Sequence, residues 1–247
     1  MLLLLSAAAA AFEMRVLPRA GHERSAAATM SAVTKSDEEF RMGMPIPSGW
    51  ELVTRRWIED FVVELGLCPF ASKPFVQETI RYVVSEATDD DQLVEDFFVE
   101  GSLLLDVPKE EIATTMLIAP DYAGDIEQFY SLYVWLTDLL ESGDEPVLDD
   151  GIQPAFFHPE WSFEGMPANS ALHYEKRAPC PVINLLRRAD LDEVVANGLK
   201  AGRIVNQEIA EHNAAELERT GEPTLRGMMA GLGALAPEKP AKEQASG

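Results

Sequence analysis

The sequence predicts an α/β domain with a small three-stranded sheet, built from β-α-β-α-β units and covered by an N-terminal helix and a C-terminal helical segment. Two observations carry this. Three short runs rich in apolar and β-branched residues, 79–85 (TIRYVVS), 114–119 (TTMLIA) and 152–158 (IQPAFFH), are separated by two stretches with helical periodicity. Strand, helix, strand, helix, strand is the order that right-handed crossovers assemble into a sheet of parallel strands.

The first folded element is a helix. Ser48 and Glu51 form the S-x-x-E pattern of a capping box, and Trp50, Val53, Trp57, Phe61 and Leu65 recur at helical spacing. Gly66 supplies a left-handed stop, and the helix is expected to end at Cys68 before Pro69. After the first strand, Asp89, Asp90 and Asp91 sit where the positive end of a helix dipole favours them, and Leu93, Phe97, Phe98 and Leu104 line the helix that follows. Asp125 opens the second crossover helix, with Ile126, Phe129, Tyr130, Tyr133 and Leu140 on its face. In the third strand Pro154 lacks a ladder donor, which places this strand at an edge or a bulge. The remainder is expected to be helical in four pieces, 182–188, 191–197, 203–219 and 224–232.

Composition sets the bounds. A chain of 247 residues that is 47% hydrophobic can bury a core, and residues 46–233 are expected to form one domain. Residues 1–45, an apolar start followed by Arg15, Arg19 and Arg24 among many Ala and Ser, have the make-up of a targeting leader or a disordered segment. The string SAAAAAF at 6–12 favours a plastid over a mitochondrion as destination, with the cytoplasm as the alternative if the leader is no signal. Residues 234–247 are polar and Pro-broken, hence a disordered tail. A net charge of -22, from 42 acidic and 20 basic residues, repels nucleic acids and anionic membranes. No run reaches the ~20 apolar residues of a membrane span. Two Cys give no disulfide framework, and no CxxC, HxxxH or HExxH spacing marks a metal site among Cys68, Cys180, His158 and His173, so no metal and no cofactor is assigned. No GxGxxG, P-loop or G-x-S-x-G string is present.

Candidate chemistry is concentrated at 156–188 (FFHPEWSFEGMPANSALHYEKRAPCPVINLLRR), which gathers two His, a Cys and a cluster of cations, with His158, His173, Cys180, Arg177, Arg187 and Arg188 the ones to weigh. If the strands are parallel, their carboxyl ends fall near Glu86, Asp121 and His158, the edge at which open α/β sheets bind ligands. The helices that start there are already capped by carboxylates, which disfavours a nucleotide phosphate cradle.

Five strings, LCPF (67–70), TTMLIAP (114–120), FHPEWSFEG (157–165), RAPCPVINLLR (177–187) and IAEHN (209–213), resemble in this order the DUF1415 family. The resemblance spans about Trp50 to Leu232 and implies a name without a reaction. The family pattern reads N-R-S-P-Y-P where this chain has KRAPCP (176–181), His where it has Asn184, and Arg where it has His212. The departures argue against a shared catalytic role for Cys180 and His212.

Each candidate has a chemical and a structural reading. His158 combines a pKa near neutrality with a strand end, which suits a general acid or base, or else it braces the turn into Pro159. Arg177 and Arg187 can clamp an anion with a guanidinium fork or pair with Glu160, Glu164 or Glu175. Cys68 is a candidate nucleophile, although the negative end of the preceding helix disfavours its thiolate. Cys180, before Pro181 at an expected helix start, is the better activated thiol. Asn213 is a further substrate-binding candidate. The expected function is therefore an enzyme acting on a small anionic metabolite, carboxylate or phosphate, with His158 as acid or base, Cys68 nearby, and Arg177 and Arg187 as clamp. The alternative is a non-catalytic binding or assembly module in which the same motifs are structural.

Overall fold

A computed structural model describes residues 49–142, 148 and 151–238. The expected leader at 1–45, the Ser48 cap, most of the acidic loop before Ile152 and residues 239–247 of the expected tail lie outside the described residues.

The chain opens with α1 (Gly49–Trp57), which passes into a π-helical stretch over Ile58–Val63. The wider turns appear as i to i−5 bonds, Glu64 N to Glu59 O at 3.1 Å and Leu67 N to Val62 O at 2.9 Å. Gly66 then takes φ 65°, the left-handed stop the sequence calls for. A short α2 (Ser72–Val76) leads into β1 (Ile80–Val84). The two crossovers follow as read: α3 (Asp90–Asp106), β2 (Thr114–Ile118), α4 (Ile126–Ser142) and β3 (Ile152–Phe157). Asp89 and Asp125 cap their helices by accepting from Gln92 N and Gln128 N, each at 3.0 Å. A 3-10 turn at Ala171–Glu175 precedes β4 (Val182–Arg187), and α5 (Arg188–Lys200), α6 (Val205–Thr220) and α7 (Glu222–Gly233) complete the chain. Gly221, at φ 80°, allows the abrupt passage from α6 into α7.

The sheet has four strands in the order β1-β2-β4-β3, which corrects the expected three. β1 and β2 are parallel, and β4 is antiparallel to both of its neighbours, so β1, β2 and β3 run the same way. The extra strand is VINLLR, expected to be a helix. Val182, Ile183 and Leu185 are fully buried, and the run is hydrogen-bonded on both edges, the signature of a central strand that must be apolar on both faces. The Cys180–Pro181 step therefore leads into a strand, and the helix start expected to activate the Cys180 thiol is absent. Pro154 lies in β3, which is an edge strand, where a missing N–H costs nothing.

Helices cover both faces. On one, α3 and α4 pack Phe97, Leu93, Phe129 and Leu136 against Leu117, Phe156 and Leu185. On the other, α1 with its π stretch, α6 and α7 pack Trp57, Phe61, Leu217 and Leu225 against Met116, Ile118 and Val182. Each fully buried Phe or Leu contributes about 2 kcal/mol, and both clusters contain several. Among the described residues no helix is long and apolar enough to cross a membrane.

Candidate functional site

The alternation of the strands decides what faces the second layer. Thr114 and Met116 of β2, Ala155 and Phe157 of β3, and Asn184 and Leu186 of β4 all project to the α1/α6 side, where a cavity of about 270 Å³ separates sheet from helices. Opposite them, α6 presents Asn206, Ile209, Ala210 and Asn213, one helical face at i, i+3, i+4 and i+7. The helix that starts as α1 closes one side with Trp57, Ile58, Phe61 and Val62, three of them on the π-helical stretch. The turn after it contributes Cys68 and Pro69. The 3-10 turn, capped by Ser170 Oγ accepting from Leu172 N at 3.3 Å, delivers Tyr174, Glu175 and Lys176.

Against mostly apolar walls, four polar groups have no hydrogen-bond partner among the described residues. The Lys176 amine has no hydrogen bond or ion pair among the described residues and lies 5.1 Å from the centre of the Phe157 ring. Burial pulls its pKa below the ordinary lysine range, against the opposing charge of Glu175. Trp57, only 2% exposed, has its indole N–H unbonded. Asn213, 4% exposed, donates Nδ2 to Glu175 Oε1 at 3.1 Å and has a bare Oδ1. Thr114 Oγ1 shares its proton between Asn184 Oδ1 at 2.6 Å and Leu185 O at 2.7 Å, which leaves the Asn184 NH2 free. Buried polar groups are nearly always bonded, and each one left bare costs about 1–3 kcal/mol. All four belong to residues that line the cavity, with the Trp57 N–H and Asn213 Oδ1 closed off behind its surface.

Of the residues singled out in the sequence, Cys68, Arg187 and Asn213 line this cavity; His158 and Arg177 do not. His158 follows Phe157 and so faces the other layer, its ring 5.4 Å from that of Phe129. It is 6% exposed, its Nδ1 accepts from Glu160 N at 3.1 Å, and burial pushes its pKa down to about 4, with Asp125 opposing. Arg177 donates Nε to Trp161 O at 2.9 Å and stacks over Tyr174 at 4.6 Å. Arg187 binds Ile112 O through Nη2 at 2.9 Å and Val107 O at 2.5 Å, tying the end of β4 to the loop before β2. His158 and Arg187 belong to opposite ends of the β3–β4 pair, where Phe157 faces Val182 and Ile152 faces Arg187, a separation of about 17 Å along the strands. The expected convergence of one imidazole and two guanidinium groups does not occur.

Cys68 keeps its thiol protonated: burial raises its pKa, more than the Phe70 and Ala71 amides and the Lys176 charge lower it. Cys180 is buried. His173 is fixed between Phe163 N, which donates to Nδ1 at 3.1 Å, and Pro167 O at 2.9 Å from Nε2, an arrangement that braces the loop. Among the described residues no group of three or more His, Cys, Asp or Glu could hold a metal ion.

The sequence pattern of a family described as "Protein of unknown function (DUF1415)" matches residues 50–226. The chain belongs to the DUF1415 family. No curated protein and no solved structure matches it. The matched stretch of this DUF1415 chain contains every cavity residue named above. Lys176, Trp57 and Asn184 were not singled out from the sequence. The signal for one wall was present in α6, where Asn206 and Asn213 interrupt an otherwise apolar face at helical spacing. The signal for Asn184 depended on recognising β4 as a strand.

Proposed function

We propose that this DUF1415 chain binds a small molecule with an apolar body and an anionic group, held in the cavity between the sheet and α6. The anion-binding role expected of Arg177 and Arg187 passes to Lys176. The observation that carries this reading is the set of unpartnered groups. The Lys176 amine and the Asn184 NH2 are donors on residues that line the cavity and are unbonded among the described residues, and the Trp57 N–H and Asn213 Oδ1 are unbonded behind that lining. A donor-rich apolar hollow suits a carboxylate or a phosphate on a hydrophobic frame. The net charge of -22 repels anions at long range, so an anion held here depends on these local donors.

The reading is tested by calorimetric titration of a panel of small carboxylates, phosphate esters and their neutral amide counterparts into the wild-type chain and Lys176→Met. Acids are expected to bind, neutral counterparts to bind at least about tenfold more weakly, and Lys176→Met to lose a similar factor. Equal affinity for acid and amide, or an unaffected Lys176→Met, would overturn it.

A further inference from the structure

The ligand's reactive group can be named more closely, on the footing of the anion-binding reading. We infer that Lys176 is a carbonyl-capturing amine, and that the molecule the cavity takes is a small 2-oxo acid, bound covalently as an iminium on Lys176. Three features of the geometry support this. The amine is unpaired and opens into an apolar, aromatic-walled hollow formed by Trp57, Phe61, Phe157 and Tyr174. Next to it in the chain stands Glu175, whose carboxylate is held by Asn213 Nδ2 at 3.1 Å, beyond ion-pair distance of the amine and able to take its proton by way of a water. A donor for the carboxylate of such a ligand, the Asn184 NH2, stands on a neighbouring cavity residue. Trp57 packs edge-on against Phe157 at 5.1 Å, and Asn184 lies two residues along β4 from Val182, the partner of Phe157, about 7 Å away.

The chemistry balances without an oxidant or a metal. The ammonium first meets the carboxylate and then loses a proton, through a water, to Glu175. The nitrogen lone pair attacks the neighbouring keto carbon, a C–N bond forms, and the C=O π pair moves to oxygen, which takes up a proton. The hydroxyl leaves as water with a second proton as the nitrogen closes the C=N bond. Burial already tips the amine toward its neutral, nucleophilic form. The carboxylate passes to the Asn184 NH2.

The test is reductive trapping. The full chain is incubated at neutral pH with 4-methyl-2-oxopentanoate or pyruvate and cyanoborohydride, and lysines are mapped by peptide mass spectrometry. Binding of 4-methylpentanoate, which lacks the keto group, is measured in parallel. Lys176 is expected to gain the probe mass less one oxygen atom at least about tenfold faster than the exposed Lys73 and Lys200, since only at Lys176 do a cavity and a lowered amine pKa act together. Lys176→Arg, which keeps the charge, should bind both acids and trap neither. If both acids bind while labelling is absent or spread evenly over the lysines, the covalent step is wrong and the anion site stands. If neither acid binds, both readings fall.

Discussion

Phe157 and His158 are consecutive residues that face opposite sides of the sheet. The Phe157 ring lies under the Lys176 amine at 5.1 Å in the cavity, and the His158 ring packs on Phe129 at 5.4 Å in the other layer. One step of strand alternation thus separates the residue that looked catalytic from the cavity.

His158 is buried neutral, with a pKa of about 4 against an unfolded value near 6.5. Between those values the unfolded chain binds more protons, so the stability contribution is complete above pH 6.5 and is lost as pH falls through 4. The shift corresponds to roughly 3 kcal/mol. Urea denaturation between pH 7 and 4 should show this loss in the wild type, and His158→Gln should flatten it by a comparable amount. A variant with the wild-type pH slope would show that the imidazole is not buried neutral.

Lys176→Met should stabilise the chain. The amine is desolvated and, among the described residues, has no hydrogen bond or ion pair, only the Phe157 ring face, a cost of about 1–2 kcal/mol that an apolar side chain of similar length removes. Because the folded pKa is lowered, the penalty is full where the amine is charged in both states and fades as pH climbs to the ordinary lysine range, so the gain should shrink there. Melting curves at neutral and alkaline pH check both points. A destabilised variant would mean that the amine has a structural bond.

Arg187→Met removes a cation that holds two backbone carbonyls, Val107 O and Ile112 O. A loss of about 2–3 kcal/mol in urea denaturation is expected, with ligand affinity reduced less than in Lys176→Met. Unchanged stability with lost binding would return Arg187 to the role of anion clamp.

Ala210→Trp, on the α6 face of the cavity, should fill the hollow and abolish binding, at an overpacking cost of about 1–3 kcal/mol. Titration of the ligand found for the wild type checks this. Retained affinity would place the ligand elsewhere.

Much of this fold can be read from the chain, because its local signals agree. Asp89 and Asp125 announce α3 and α4, Gly66 ends the first helix, and Pro154 marks β3 as an edge. β4 could not be read: a short apolar run such as VINLLR has no period that separates a doubly buried strand from a helix, and Pro181 imitates a helix start. The site suffered for it. Without β4, neither Asn184 nor the face carrying the cavity can be assigned, and His158 looks central because the strand ends do share an edge. The π-helical stretch that turns Ile58 and Phe61 into the wall leaves no mark in the residue pattern.

The state of the Lys176 amine can be read directly by NMR titration of the full chain carrying ¹³C at the lysine ε-carbons. One resonance, absent from Lys176→Met, should titrate below the ordinary lysine range and shift when a small apolar carboxylate is added. A Lys176 signal that titrates with the surface lysines and ignores every acid in the panel would contradict an unpaired amine facing a ligand cavity.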